Sequence, residues 1–465
     1  MNYIPVIGLE IHAELLTKSK LFCNCENAFG GEPNTRICPV CTGQPATLPV
    51  LNQEAVNLAV MTGLCLNSDI HTFCTFDRKN YFYPDLPKAY QITQNYHPIC
   101  TGGNIGKIRI NNIHIEEDAG KLIHKDMFSE IDLNRSGVPL IEIVTEPDFR
   151  SADEVCTFLS DLARRLKFLR ICDAKMEQGS LRVDVNISLM KEDDTVFGTR
   201  AELKNINSFR SIRRALDFEI QRQSQILSNG GTVVQETRRF DEEKGITVLM
   251  RTKEDMTDYR YFPEPDIPSL VIDEKTLLTL KEKMPELPNE RFLRYTSEFG
   301  ISEQDAYLLI DDKDFSDFFD ESVKYTNNPS KTSKLMLGEL SHRFNITGIK
   351  ISDLKFNAKD FSKLISLESM GKINKSEQKE ILKIMFETGN NPENILKEIK
   401  KEVSDDEIKS KILSLINENP NLINQYRSGN TKCIDFFIGQ IIRTLGKSVN
   451  PNLCRELIVS ALSEI

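Results

Sequence analysis

No stretch of this sequence is apolar for long enough to cross a bilayer. The most apolar run near the C-terminus, Phe436-Phe437-Ile438-Gly439-Gln440-Ile441-Ile442, is interrupted by Gln440 and ended by Arg443, far short of the roughly 18 to 20 residues a membrane helix needs. A basic surplus is missing as well. With 59 Lys and Arg against 69 Asp and Glu, the formal net charge is −10, which excludes a uniformly basic nucleic-acid coat and confines any RNA contact to part of the surface. The first residues, Met1-Asn2-Tyr3-Ile4-Pro5-Val6-Ile7-Gly8, lack a basic start, a long apolar core and an Arg/Ser-rich amphipathic stretch. Neither a secretory signal nor a transit peptide is expected, and the expected compartment is the cytoplasm, with no membrane partner. The sequence also lacks internal repeats, low-complexity tracts, a Walker-type glycine loop, a Rossmann fingerprint, a kinase signature and a G-x-S-x-G elbow. A nucleotide site would have to be built on a sheet.

What is present fits a globular chain of about three domains: 465 residues, of which 40% are apolar. Up to about residue 290, short alternating or β-branched runs are broken by Gly, Pro and Asn, as in Ile4 to Leu9, Ile108 to Ile110, Val138 to Val144 and Leu181 to Ile187. Two segments with apolar residues at three- and four-residue spacing, Ala152 to Arg170 and Ser211 to Gln225, predict helices. Strands do not alternate regularly with helices, so the fold class is α+β. After the Pro-studded Tyr261-Phe262-Pro263-Glu264-Pro265-Asp266-Ile267-Pro268 and a short strand at Leu270 to Ile272, helical periodicity takes over. The expected domains are 1–290, 291–404 and a helical tail at 405–465, with the last boundary near Val403 to Asp406. Charge divides unevenly: residues 321–465 hold 22 Lys and Arg against 18 Asp and Glu, a net of +4, which leaves −14 in residues 1–320.

The strongest local signal is Cys23-Asn24-Cys25 followed by Cys38-Pro39-Val40-Cys41. Two close pairs, the second a C-x-x-C knuckle, can present four thiolates to zinc at about 2.3 Å each, and such a closed site is structural. The eleven cysteines of a chain without an expected signal read as thiols or metal ligands, not as a disulfide framework. In Gly8-Leu9-Glu10-Ile11-His12-Ala13-Glu14, strand alternation puts Glu10, His12 and Glu14 on one face. Ile115-Glu116-Glu117-Asp118 and Leu140-Ile141-Glu142-Ile143 each set carboxylates within or beside an apolar strand, where burial is costly unless a cation compensates. Carboxylates and solvent are the usual surroundings of magnesium beside nucleotide phosphates; an imidazole suits manganese better, or sits outside the first coordination sphere. Glu116 and Glu117 face opposite ways in a regular strand, and the sequence does not choose between them. Donors for phosphate occur in Asp77 to Lys88 and in Ala201 to Arg210, where Lys204, Asn205 and Ser208 precede a helix N-terminus.

Taken in order, these segments resemble one family, the GatB subunits of the tRNA-dependent Asp/Glu amidotransferases. The resemblance rests on Val6 to His12, the four-cysteine segment, Phe76 to Lys88, Glu116 to Lys121, Gly137 to Ile143, Glu202 to Asn205 and Asp258 to Asp266, and more loosely on Gly439-Gln440 and Gly446-Lys447. It implies a cradle domain of the glutamine synthetase and guanido kinase type, then an all-helical domain and a small helical tail that meets tRNA. It implies ATP and magnesium as cofactors, misacylated tRNA as substrate, and two protein partners, an amidase subunit together with a further small subunit, in a heterotrimer. The implied reaction activates Glu or Asp on tRNA-Gln or tRNA-Asn with ATP and replaces the phosphate by ammonia. Under it, Glu10, His12, Glu116 or Glu117, and Glu142 hold magnesium. Lys79, Tyr81 and Lys88 line the ammonia path or substrate site, and Lys204, Asn205 and Ser208 meet the phosphates. The rival reading is a non-catalytic, zinc-stabilised tRNA-binding scaffold. Two positions depart from the family pattern, Ala89 for Gly and Val183 for Cys, and Ala89 argues against a left-handed backbone at that point.

Overall fold

The computed structural model describes residues 3–252, 258–399, 405–427, 433–445 and 451–463. Residue contacts divide the chain into two units, Met1–Leu293 with Asp311–Lys313, and Arg294–Ile310 with Asp314–Ile465. The first is mixed α and β, the second helical among the described residues. The boundary expected near Val403 to Asp406 begins outside the described residues, as do Gly446 and Lys447.

Among the described residues the first unit is built on a ten-stranded sheet. Its strands are β1 (Tyr3–Glu14), β2 (Asp69–Ile70), β3 (Cys100–Thr101), β4 (Ile108–Glu117), β5 (Pro139–Thr145), β6 (Leu181–Lys191), β7 (Ala201–Lys204), β8 (Glu236–Asp241) and β9 (Ile246–Thr252). A short strand, Asn104–Ile105, turns back onto β4 in a tight hairpin. The spatial order is β9-β8-β7-β6-β1-β5-β4-β3-β2, antiparallel throughout except for β7 beside β8.

One sheet face packs against helices and the other carries the polar residues, and the sequence alternation says which. Leu9, Ile11, Ile113, Ile115, Ile141, Ile143, Val183 and Val185 all enter one core with helices α1 (Gln53–Cys65), α2 (Ala152–Phe168) and α3 (Phe209–Ser228). Burying a side chain of this size contributes about 1.5–3 kcal/mol, so a one-residue slip of any central strand would expose a whole row of them. Register is therefore firmly set. Both predicted helices form, with shifted ends. In α2, Ser151 accepts from the Glu154 N–H at the start, and Arg170 turns left-handed two residues past the end. In α3, Ser208 is the cap, so the helix begins before Ser211. Helix α1 carries no amphipathic signal because it is buried nearly all round, from Ala55 to Cys65.

In the helical unit, the last four described helices, Asp405–Glu418, Pro420–Arg427, Cys433–Leu445 and Pro451–Ser463, share their own apolar core. The apolar run at Phe436 to Ile442 lies in the third of these and buries Ile434, Phe437, Ile438 and Ile441 at helical spacing. No described helix is long and apolar enough to cross a membrane.

Candidate active site

Because Leu9, Ile11 and Ala13 point into the core, Glu10, His12 and Glu14 must point out of the opposite face of β1. Cross-strand register then collects their partners. His12 stands opposite Glu142 of β5, Glu142 opposite His114 of β4, and Arg182 of β6 opposite His12. Glu116 follows His114 by two residues and so shares its face. The result is a compact group: His12 Nε2 lies 3.3 Å from Glu116 Oε1 and 3.4 Å from Glu142 Oε2, and one ligand atom from each of the three lies within 4.8 Å of the others.

The two carboxylates draw positive charge into this group. Burial opposes charge on His12, yet the hydrogen bonds and charges of Glu116 and Glu142 outweigh it and carry the imidazole to about 10. Burial likewise opposes ionisation of Glu116 and Glu142, and the neighbouring imidazoles nonetheless hold both carboxyls below their ordinary value. Two carboxylates and an imidazole whose donor atoms lie this close are a set a divalent cation fits, at oxygen and nitrogen distances near 2.1 Å.

Beside it a cleft of about 230 Å³ is lined by Glu10, His12, Lys79, Glu142, Asp184, Asn186, Arg200, Glu202, Lys204 and Arg251, among others. Glu10, Asp184 and Glu202 form a second carboxylate group, into which Lys204 sends its ammonium, ion-paired with Asp184 and 2.9 Å from Glu202. Burial and then Glu142 raise the Glu10 carboxyl above its ordinary value, although Asn186 donates to it at 2.9 Å. Lys79, on the strand Asp77–Asn80, sits 4.8 Å from the Tyr259 ring, and Tyr81 packs edge-on against that ring at 5.9 Å. Burial works against the Lys79 charge, but Glu116, Tyr261 and Glu142 raise its pKa above the ordinary value. The cleft thus holds cations and anions side by side, the arrangement that binding a phosphorylated anion through metal and ammonium requires.

Several expected residues are placed elsewhere. Glu117 leaves the metal group: it lies on the core face of β4 with Ile113 and Ile115, where Lys88 pairs with it and the Ile92 N–H donates to it at 3.0 Å. Of the adjacent glutamates, only Glu116 faces the cluster, because neighbours in a strand point oppositely. Lys88 goes with Glu117, into a separate cavity of about 130 Å³ lined also by Phe22, Cys23 and Cys41, so it does not share the cleft with Lys79. Asn205 and Ser208 do not line the cleft either. The backbone turns left-handed at Asn205, and Ser208 is taken up in capping α3, accepting from the Ser211 N–H at 3.1 Å. Ala89 adopts φ +61°, against the expectation from its side chain; its N–H donates to the Leu86 carbonyl at 3.0 Å, closing a tight turn that overrides the steric cost.

The four cysteines do converge. Cys23, Cys25, Cys38 and Cys41 all lie within 4.8 Å of one another, with Cys25 4.0 Å and Cys38 3.9 Å from Cys41 Sγ. Tetrahedral thiolates at 2.3 Å from zinc stand about 3.8 Å apart, so the set fits zinc. Lys20, wholly buried, points its ammonium at Cys41 Sγ from 3.7 Å. A hydrogen bond from Cys23, with further help from Lys20, lowers Cys41 to about 4 against the opposing effect of burial. Residues that the sequence left without a role are therefore Lys20, His114, Asp184 and Tyr259. For His114 and Asp184 the signal was available, since each sits at an alternate position from a charged strand residue.

Known proteins resemble the chain throughout. The description of the GatB/GatE catalytic domain matches residues 5–278 and that of the GatB domain matches residues 317–462. The chain is 46% identical over 481 aligned residues to the GatB subunit of the aspartyl/glutamyl-tRNA(Asn/Gln) amidotransferase of Caldicellulosiruptor bescii, covering 100% of both chains. It is 45% identical to the same subunit of Thermoanaerobacter pseudethanolicus, again over 100% of both, and 43% identical to that of Persephonella marina, over 99% of this chain and 100% of the relative.

Proposed function

The chain belongs to the GatB family of tRNA-dependent amidotransferase subunits, and from that premise we propose that its sheet unit, the cradle of the family resemblance, activates the side-chain carboxylate of Glu or Asp misacylated onto tRNA. The activity is that of a ligase with glutamine as amido donor. The γ-phosphoryl group of ATP passes to a carboxylate oxygen, ADP leaves, and ammonia attacks the acyl phosphate and expels inorganic phosphate to form the amide. The observation that carries this reading is the group His12, Glu116 and Glu142 at the rim of a cleft that also holds Lys79 and Lys204.

His12, Glu116 and Glu142 would hold magnesium, which would supply Lewis-acid neutralisation of phosphate charge. Lys204, on its present carboxylate partners, is placed to exchange them for phosphate oxygens, and Lys79 to offset charge on the acceptor carboxylate as it becomes an acyl phosphate. Tyr81, Tyr259 and Tyr261 form an aromatic wall next to Lys79 that limits water at the reactive acyl phosphate. Zinc on the four cysteines has a structural part, pinning the loop-rich segment before α1. An amidase subunit that supplies the ammonia, a further small subunit, and tRNA contact by the helices of residues 405–465, at the end of the stretch 321–465 whose net charge is +4, complete the proposal. The test is to assay the purified complex with ATP, magnesium and glutamine against Glu-tRNA-Gln and Asp-tRNA-Asn. Amide formation on at least one is expected. Binding of tRNA with neither ATP hydrolysis nor amide formation would instead favour the zinc-stabilised scaffold.

A further inference from the structure

His114 carries a polarity that its neighbours dictate. The chain of contacts starts at Glu146, a carboxylate and therefore an acceptor: Asn111 Nδ2 donates to Glu146 Oε1 at 2.7 Å. Asn111 must then turn its Oδ1 toward Asn112, whose Nδ2 donates to it at 2.8 Å. Asn112 is left with only Oδ1 to offer, and His114 Nδ1 lies 2.9 Å from it. An amide oxygen only accepts, so His114 Nδ1 carries the proton and donates. In the neutral imidazole this leaves Nε2 with a free lone pair.

That lone pair is aimed at the cluster. His114 Nε2 lies 3.1 Å from Glu142 Oε2 and 4.0 Å from Glu116 Oε2, within the range of about 3.0 to 4.2 Å that separates neighbouring and opposite ligands of one octahedral cation with bonds near 2.1 Å. At such distances the nitrogen and the carboxylate oxygens need a positive centre between them, which is the Nε2 proton of the imidazolium when no cation is bound and which a bound cation replaces. His114 also continues the cross-strand row of His12 and Glu142, and it is mostly buried, with its side chain 14% exposed. An imidazole whose far nitrogen donates to an oxygen is the usual arrangement of a metal-bound histidine, because that hydrogen bond fixes tautomer and ring orientation.

We propose that His114 is a fourth ligand of the cation held by His12, Glu116 and Glu142, with Asn112, Asn111 and Glu146 as the hydrogen-bonded chain that fixes its tautomer. This rests on the reading of the cluster as a cation site. Two imidazoles and two carboxylates leave two octahedral positions for phosphate oxygen or water.

The test loads the full chain with Mn²⁺ and reads the nitrogen couplings of the bound ion by electron spin-echo envelope modulation. Two directly bound imidazole nitrogens are expected in the unaltered protein. His114→Gln and His12→Gln should each leave one, and His114→Gln should weaken Mn²⁺ binding by about tenfold or more, while its circular dichroism without cation stays unchanged. Asn112→Ala, which frees the tautomer, should weaken binding less and keep both couplings. Bound Mn²⁺ with a single nitrogen in the unaltered protein, or an unchanged spectrum in His114→Gln, would overturn the assignment of His114 alone. Failure of the unaltered protein to bind Mn²⁺ would overturn the cation site itself, and His114 with it.

Discussion

His12 and Glu142 stand directly opposite each other on adjacent antiparallel strands, with Nε2 3.4 Å from Oε2. Position in the sheet, rather than proximity in sequence, makes them one site. A cation at this point binds the folded unit and has no equivalent site in the unfolded chain, so it must stabilise the fold. Mn²⁺ at about one hundred times its Kd should add about 2.7 kcal/mol to unfolding, read as a shift in the thermal or denaturant midpoint. Glu142→Gln should lose most of that increment while changing the cation-free midpoint much less.

The zinc reading predicts one zinc per chain by elemental analysis. Cys41→Ser should remove it and lower the unfolding midpoint, since Cys41 contacts Cys25, Cys38 and Lys20 and its loss strands the buried Lys20 ammonium without a thiolate. Zinc retained at full stoichiometry in Cys41→Ser would contradict the four-thiolate assignment.

Ala89 holds φ +61°, which costs a residue with a Cβ about 1–2 kcal/mol. Glycine removes that cost but has more freedom to lose on folding. Ala89→Gly should therefore stabilise the sheet unit by about 0.5–1 kcal/mol, measured by denaturant unfolding.

Glu219 is fully buried in α3 and accepts from Arg222 at 2.6 Å, Gln223 at 2.9 Å and Thr247 at 2.9 Å. Burial opposes its charge, but these partners hold its carboxyl below the ordinary value. A depressed folded pKa means that the stabilisation is complete above the unfolded value, near 4.3, and is lost as pH falls through the folded value. Glu219→Gln should cost about 1.5–3 kcal/mol at pH 7, and the gap between variant and parent should narrow below about pH 4. Denaturant midpoints across pH 3 to 7 measure both.

Much of this site can be read in the sequence because a strand has a period of two. Glu10, His12 and Glu142 alternate with buried aliphatics, and their facing side follows from that alone. The period does not say which strands are neighbours. Alternation with Ile113 and Ile115 turns Glu116 away from the core, but that it meets His12 depends on the pairing of β4 with β5, and Lys88 is parted from Lys79 into another cavity although a short stretch of chain separates them. Lys204 is recognisable as a cation, but its pairing with Asp184 and Glu202 comes from the β6 to β7 register. His114 is legible by the same alternation as Glu116, and only the amide chain from Glu146 gives its direction. The four cysteines need no register, because their spacing already brings them together.

On this assignment the His12, Glu116 and Glu142 group serves the ATP-dependent step and not the release of ammonia. The most direct measurement compares Glu142→Gln with the unaltered complex on misacylated tRNA, following phosphate release from ATP, amide formation and glutamine hydrolysis in one reaction. Loss of tRNA-dependent phosphate release and of amide formation by at least about a hundredfold is expected, with glutamine hydrolysis still measurable. Full phosphate release and amide formation by Glu142→Gln would contradict it.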